Sequence, residues 1–344
     1  MNRIILAVTL CFVFVVSASA APATATVSVD CNKGQKISNA LNNPALNLTI
    51  EITGICEEDV EISRTHVTLR GSSPLTDGIR PAPNGLKRQV ITLVGTNFIN
   101  IENLSLSGAV TGIGINYTFG VFVVDCIIKD NSLAGVIAGT ASGSLNVVDT
   151  VITSTGGASN RAIWATNGSN ITCTRCEIDN HRTGILLTQG SQANITDSTV
   201  LATRRGVDAS GGSRFISFFS TTSSTIEGGT EAAIQLTDNA SASIFDGADI
   251  NGRIRLAGKS VARLWGSSQS NPSFFNSVES GSSLMTRSST SLDGDIDISE
   301  FSTVTLPGGS TTTGSLFCSL GGDAVCDTPL TATLASDCGQ CPNP

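Results

Sequence analysis

The chain has 344 residues, a formal net charge of −8 and only 14% charged residues. The acidic balance argues against a general nucleic-acid binder. The dominance of Gly, Ser, Thr, Asn, Val and Ile suits strands and tight turns rather than helices, and the length allows one long domain or two ordinary ones.

The first residues read as an export leader, 1–20. Arg3 supplies the positive charge, Ile4 to Val16 is apolar, and Ala18-Ser19-Ala20 gives the small-x-small cleavage pattern. The run is shorter than the roughly 20 apolar residues that span a bilayer, and no later segment is apolar enough to span. Cys11 lacks the small residues of a lipoprotein signal. The mature chain is expected to start at Ala21 and to be secreted or held at the cell surface.

Ten cysteines occur; without Cys11 an odd number remains. Export permits disulfides. Cys31 and Cys56 flank the first structured segment and are read as a pair. Cys318, Cys326, Cys338 and Cys341 form a cysteine-rich tail, 311–344, with room for two bridges of undetermined connectivity. A zinc site is the rival reading there, disfavoured because the spacing is not a paired CxxC.

Between these ends the chain repeats. Val123-Val124-Asp125-Cys126-Ile127-Ile128, Val147-Val148-Asp149-Thr150-Val151-Ile152, Cys173-Thr174-Arg175-Cys176-Glu177-Ile178 and Ile195-Thr196-Asp197-Ser198-Thr199-Val200 align. Each leads to a second short strand: Gly135 to Ala138, Ala162 to Ala165, Gly184 to Leu187 and Gly206 to Ala209. The period is 24, 26 and then 22 residues, and the long cycle carries the extra loop Gly156 to Asn160. A short β-branched strand cannot bury its apolar face alone. Stacking the cycles in register, each strand about 4.8 Å from its copy, solves this.

The predicted fold is therefore all-β: a parallel β-helix, or solenoid, over 21–310. Val123, Val147, Cys173 and Ile195 should stack inside, as should Val136, Ile163, Ile185 and Val207. Asp125, Asp149 and Asp197 fall at a turn where a short polar side chain can bond nearby amides. Cys126 and Cys176 share a column with Thr150 between them. That puts them about 9.6 Å apart, too far for a bridge. A leucine-rich repeat has the same period, but no cycle shows Leu-x-x-Leu-x-Leu. A β-sandwich does not explain so regular a repeat.

The stretch VDCNKGQKISNALNN, followed by LTIEITGICEEDVEISRTHVTLRG up to Gly71, resembles the secreted bacterial right-handed parallel β-helix proteins of the pectin-lyase-like superfamily. Gly294-Asp295-Ile296-Asp297-Ile298 before the tail resembles them too. The resemblance implies a short cap helix, about Gln35 to Asn42, with the Cys of the first coils bonded back toward it. The cap covers an otherwise open strand edge. Enzymes of this superfamily cleave or modify acidic polysaccharides, but fold does not imply activity. Of the hydrolase motifs Asn-Thr-Asp, Asp-Asp, Gly-His-Gly and Arg-Ile-Lys, only Arg253-Ile254-Arg255 is faintly similar to the last. The pectate-lyase segments Trp-x-Asp-His and Arg-x-Pro-x-x-Arg are absent.

The strongest constellation is basic. Alignment puts Asn160, Arg182 and Arg204 in one column and Arg161, Thr183 and Arg205 in the next. Trp164, Leu186 and Asp208 form an outward column, and Asp179 and His181 lie in the preceding turn. Arginine forks suit the carboxylates or sulfates of uronic polymers, and an exposed indole suits a sugar face. Solvated turn residues, some paired with Asp179 and Asp208, are the plainer reading.

Asp293, Asp295 and Asp297 alternate, and on one strand face they would leave calcium open as a cofactor. A solvated face over buried Ile296 and Ile298 is favoured, because EF-hand spacing is not met. His66 reads as structural. Seven sequons, at Asn47, Asn103, Asn116, Asn167, Asn170, Asn194 and Asn239, read as chance products of an Asn-, Ser- and Thr-rich solenoid. The leading expectation is a secreted protein that contacts carbohydrate, with an acidic polysaccharide as partner, no nucleic acid and no membrane span. A polysaccharide lyase and a structural or adhesive surface protein are the alternatives. The sequence leaves catalysis and oligomeric state open.

Overall fold

The computed structural model describes residues 24–83, 88–139, 143–155, 161–218, 224–245, 247–270, 275–287, 289–307, 309–326 and 338. The leader, the loop 156–160 and Cys341 lie outside them. Strands pair in parallel, each with its copy one coil away. Fourteen of them, from Thr24–Asp30 to Asp323–Cys326, form one continuous face. A second network of 22 strands supplies two more faces. One holds short strands such as Ile127–Lys129 and Val151–Thr153. The other holds the strands that follow them, Ala134–Ala138 and Arg161–Ala165. In the next two coils both faces are served by single long strands, Glu177–Leu187 and Thr199–Ala209. Coil strands continue to Cys326, past the boundary at 310 expected from the sequence.

The expected register is observed. Val136 stands opposite Ile163, Ile163 opposite Ile185, and Ile185 opposite Val207. All four are buried. Val123, Val147, Cys173 and Ile195 form the matching ladder on the first face. Each such side chain gains about 1.5–3 kcal/mol on leaving water, which is why a set of short strands holds together.

The turn column has a different cause from the one expected. Asn103, Asp125, Asp149, Arg175 and Asp197 share a left-handed backbone, with φ between 49° and 54°. Asn and Asp tolerate that region best among residues with a Cβ. Asp149 spends its carboxylate on the guanidinium of Arg175, at 2.6 and 2.7 Å. The next residue in each coil points inward, and here hydroxyls replace the backbone bonds that the corner breaks. Thr150 Oγ1 accepts from Cys126 N at 3.3 Å, and Ser198 Oγ accepts from Cys176 N at 3.1 Å.

The N-terminal end is closed by a 3-10 turn, Cys31–Lys33, and a helix, Ile37–Ala40, shorter than the expected Gln35 to Asn42. Buried Glu58 caps this helix by accepting from Ile37 N and Ser38 N. Cys31 is bonded to Cys56 as expected. In the tail Cys318 pairs with Cys338, which removes both from the zinc reading. Cys173 pairs with Cys176 across one corner, a bridge the repeat alignment did not single out. Cys126 is buried and free, so it does not pair with Cys176.

Candidate functional site

The corner between the two shorter faces is set by small residues. Gly184 follows Thr183 and Gly206 follows Arg205, both at very close approaches. A Cβ on Gly184 would lie 2.3 Å from Val200 Cγ1, and one on Gly206 would lie 2.6 Å from Ala233 O. The chain therefore presses inward at this point, and the residues just before it project outward. Those residues are the arginines. Thr183 stands opposite Arg161 on one side and Arg205 on the other, as the alignment predicts. Asn160 lies outside the described residues.

Arg161, Arg182, Thr183, Arg204 and Arg205 line one cleft of about 340 Å³. The guanidinium of Arg161 lies 4.5 Å over the centre of the Trp164 ring, a cation–π contact. Burial pushes Arg161 below its ordinary value, with Arg182 adding to the shift and Asp208 opposing it. Among the described residues no carboxylate lies within ion-pair reach of Arg161.

Trp164 differs from the expected exposed platform. It is half-buried, its face carries Arg161, and its Nε1 is buried without a partner. It serves as a shelf for Arg161. His181 also departs from the expected face. A bulge between Asp179 and Thr183 turns it inward, and it is buried with Nδ1 2.8 Å from the Asp179 carbonyl. Burial pushes its pKa down, against that hydrogen bond and the charges of Asp179 and Asp130. The Asp179 carboxylate accepts from Asn180 Nδ2 at 2.7 Å and does not line the cleft.

Asp208 takes the role that the plainer sequence reading gave it, accepting from Arg205 Nη1 at 2.6 Å. The residue that sequence reasoning missed is Glu231. Its two oxygens bridge Arg204 Nη2 and Arg205 Nε. The signal was present: aligning Glu231-Ala232-Ala233-Ile234 with Arg204-Arg205-Gly206-Val207 extends the repeat by one coil and puts Glu231 beside Arg204. Arg205 is paired with Ala232 in the structure.

The other candidates fall elsewhere. Asp293, Asp295 and Asp297 alternate with buried Gly294 and Ile296, and only Asp297 falls within the strand Ile296–Ile298. Asp293 accepts from Thr313 Oγ1, and Asp295 from Ser315 N at 2.7 Å. Both tie one coil to the next. Among the described residues no three metal-ligating side chains gather. His66 stacks on Phe98 with ring centres 4.9 Å apart. Arg253 has its Nε buried without a partner and is pushed below its ordinary value by burial.

Residues 111–274 match the family described as the right handed beta helix region. No curated protein matches the chain in sequence. Among solved structures, it is similar to pectate lyase Pel9A, with 8% identity, a TM-score of 0.54, and 73% of this chain and 77% of that one covered. It is also similar to the catalytic unit of the thermostable GH87 alpha-1,3-glucanase from Streptomyces thermodiastaticus strain HF3-3. That match has 14% identity, a TM-score of 0.48, and 95% and 73% of the two chains covered. At these identities the likeness is one of fold. The protein folds as a right-handed parallel β-helix.

Proposed function

We propose that the protein binds an acidic polysaccharide at the arginine cleft, outside the cell. The observation that carries this reading is the convergence of Arg161, Arg182, Arg204 and Arg205, from three successive coils, on one cleft in a chain of net charge −8. Guanidinium groups are weakly hydrated and match carboxylates two bonds at a time. Coils rising about 4.8 Å each present them as a ladder, suited to a polymer whose carboxylates also recur along its length. Three disulfides and the leader pattern support an oxidising, extracellular setting. The likeness in fold to pectate lyase Pel9A fits a polysaccharide partner.

The test is affinity electrophoresis in gels containing polygalacturonate or alginate. Wild type should be retarded, less so as salt rises, and the double variant R161A/R182A should run as in a plain gel. Equal retardation of both proteins would reduce the arginines to surface charge. Cleavage is a second reading, because pectate lyase Pel9A, similar in fold, is named as a lyase. Release of an unsaturated uronic product would establish it. Intact polymer after long incubation would leave a binding protein.

A further inference from the structure

Glu231 lies beside the cleft, in the coil after Arg204: its N donates to Arg204 O at 3.0 Å. Its side chain is 24% exposed, and both carboxylate oxygens are committed, one to Arg204 and one to Arg205. Arg205 is held again from the other side by Asp208, which is only 8% exposed. The residues that line the cleft include both arginines but neither carboxylate. The two arginines of the cleft are thus held by carboxylates that do not themselves line it.

This arrangement bears on the repulsion among the cleft's arginines. Like charges on neighbouring coils repel, and Glu231 and Asp208 offset part of that repulsion at Arg204 and Arg205. It also divides the cleft. At one end two guanidinium groups are matched by two carboxylates; at the other, Arg161 rests on Trp164 with no carboxylate in reach among the described residues. We infer that Glu231 is a resident carboxylate that occupies the place of a ligand carboxylate. It thereby sets the charge of the cleft and limits what binds there. This inference rests on the cleft being a polyanion site. A polymer with one carboxylate per sugar can use the Arg161 end. A densely sulfated polymer brings further negative charge against Glu231 and Asp208 and is disfavoured, because like charges at close range cost binding energy when water is partly excluded.

The experiment titrates wild type, E231Q and E231A with polygalacturonate and with dextran sulfate over a range of salt. E231Q keeps the shape of the glutamate and a neutral hydrogen-bond acceptor; E231A removes both. Thermal melts establish that each variant is folded. Wild type is expected to prefer polygalacturonate. Both variants should bind polygalacturonate about tenfold more tightly and gain more for dextran sulfate. Their log affinity should fall more steeply with log salt, by up to about two, one for each arginine released. If wild type binds and folded E231Q and E231A bind no better, with the same salt slope, the inference about Glu231 fails and the cleft reading survives. If wild type binds neither polymer but E231Q does, Glu231 is a block, and the reading of wild type as a polyuronate binder fails. Should neither protein bind either polymer, both ideas fall.

Discussion

Asp77 shows what a single residue contributes to the fold. It is buried, and its carboxylate accepts from Gly54 N at 2.8 Å, from Ser72 N at 2.7 Å and from Ser72 Oγ at 2.6 Å. Burial pushes its pKa up, but these hydrogen bonds outweigh that and hold it below its ordinary value of 3.8. The sign follows. A depressed folded-state value adds stability at pH above about 3.8, and that stability is lost as pH falls through the folded value. D77N should therefore cost about 2 kcal/mol at neutral pH and progressively less below pH 3.8. Chemical denaturation of both proteins across that range checks it; a constant difference down to pH 2 would contradict it. Cys126 works the other way. Burial pushes its thiol up to about 12, so it is neither ionised nor reachable at pH 8. Iodoacetamide should leave the Cys126 peptide unmodified in the native protein and label it once the protein is unfolded. Rapid native labelling would mean that the core opens at this coil.

At the scale of the element, the inward ladder decides stability and the corner decides the site. I185A should cost about 2–5 kcal/mol, because neighbours one coil above and below hold the cavity open. The measurement is the shift in denaturation midpoint. A loss under 1 kcal/mol would show that Ile185 does not stand in the ladder. G206V should fail to fold or lose the arginine geometry, since its Cβ would meet backbone at 2.6 Å. The ladders were legible in the sequence because a period-2 strand inside a 22- to 26-residue cycle leaves one register that buries Ile and Val. The arginine columns were legible for the same reason, being fixed by the strands that follow them. The orientation of side chains at the corner was not. Asp179 to Thr183 contains a bulge, and a bulge re-aims a side chain without changing the count of residues that alignment reads. That is why His181 was placed outside and lies inside. Trp164 was placed correctly in its column, but its cover by Arg161 is a matter of side-chain conformation within one strand, which alignment does not address.

At the scale of the whole molecule, the protein is a stack of coils with closure at its N-terminal end and an arginine-lined corner on a chain of net charge −8. The net charge of −8 disfavours a polyanion in general while the arginine corner attracts it locally, so net charge and local charge together orient an acidic polymer. The central claim is that the corner is where such a polymer sits. The most direct measurement uses Trp164 as a reporter, because Arg161 lies on its ring and the only other tryptophan is Trp265. In W265F protein, titration with an oligogalacturonate should give a saturable change in Trp164 emission. That change should weaken as salt rises and disappear in the R182A variant. Emission that stays constant with oligogalacturonate and oligoalginate alike, in folded W265F protein, would contradict the claim.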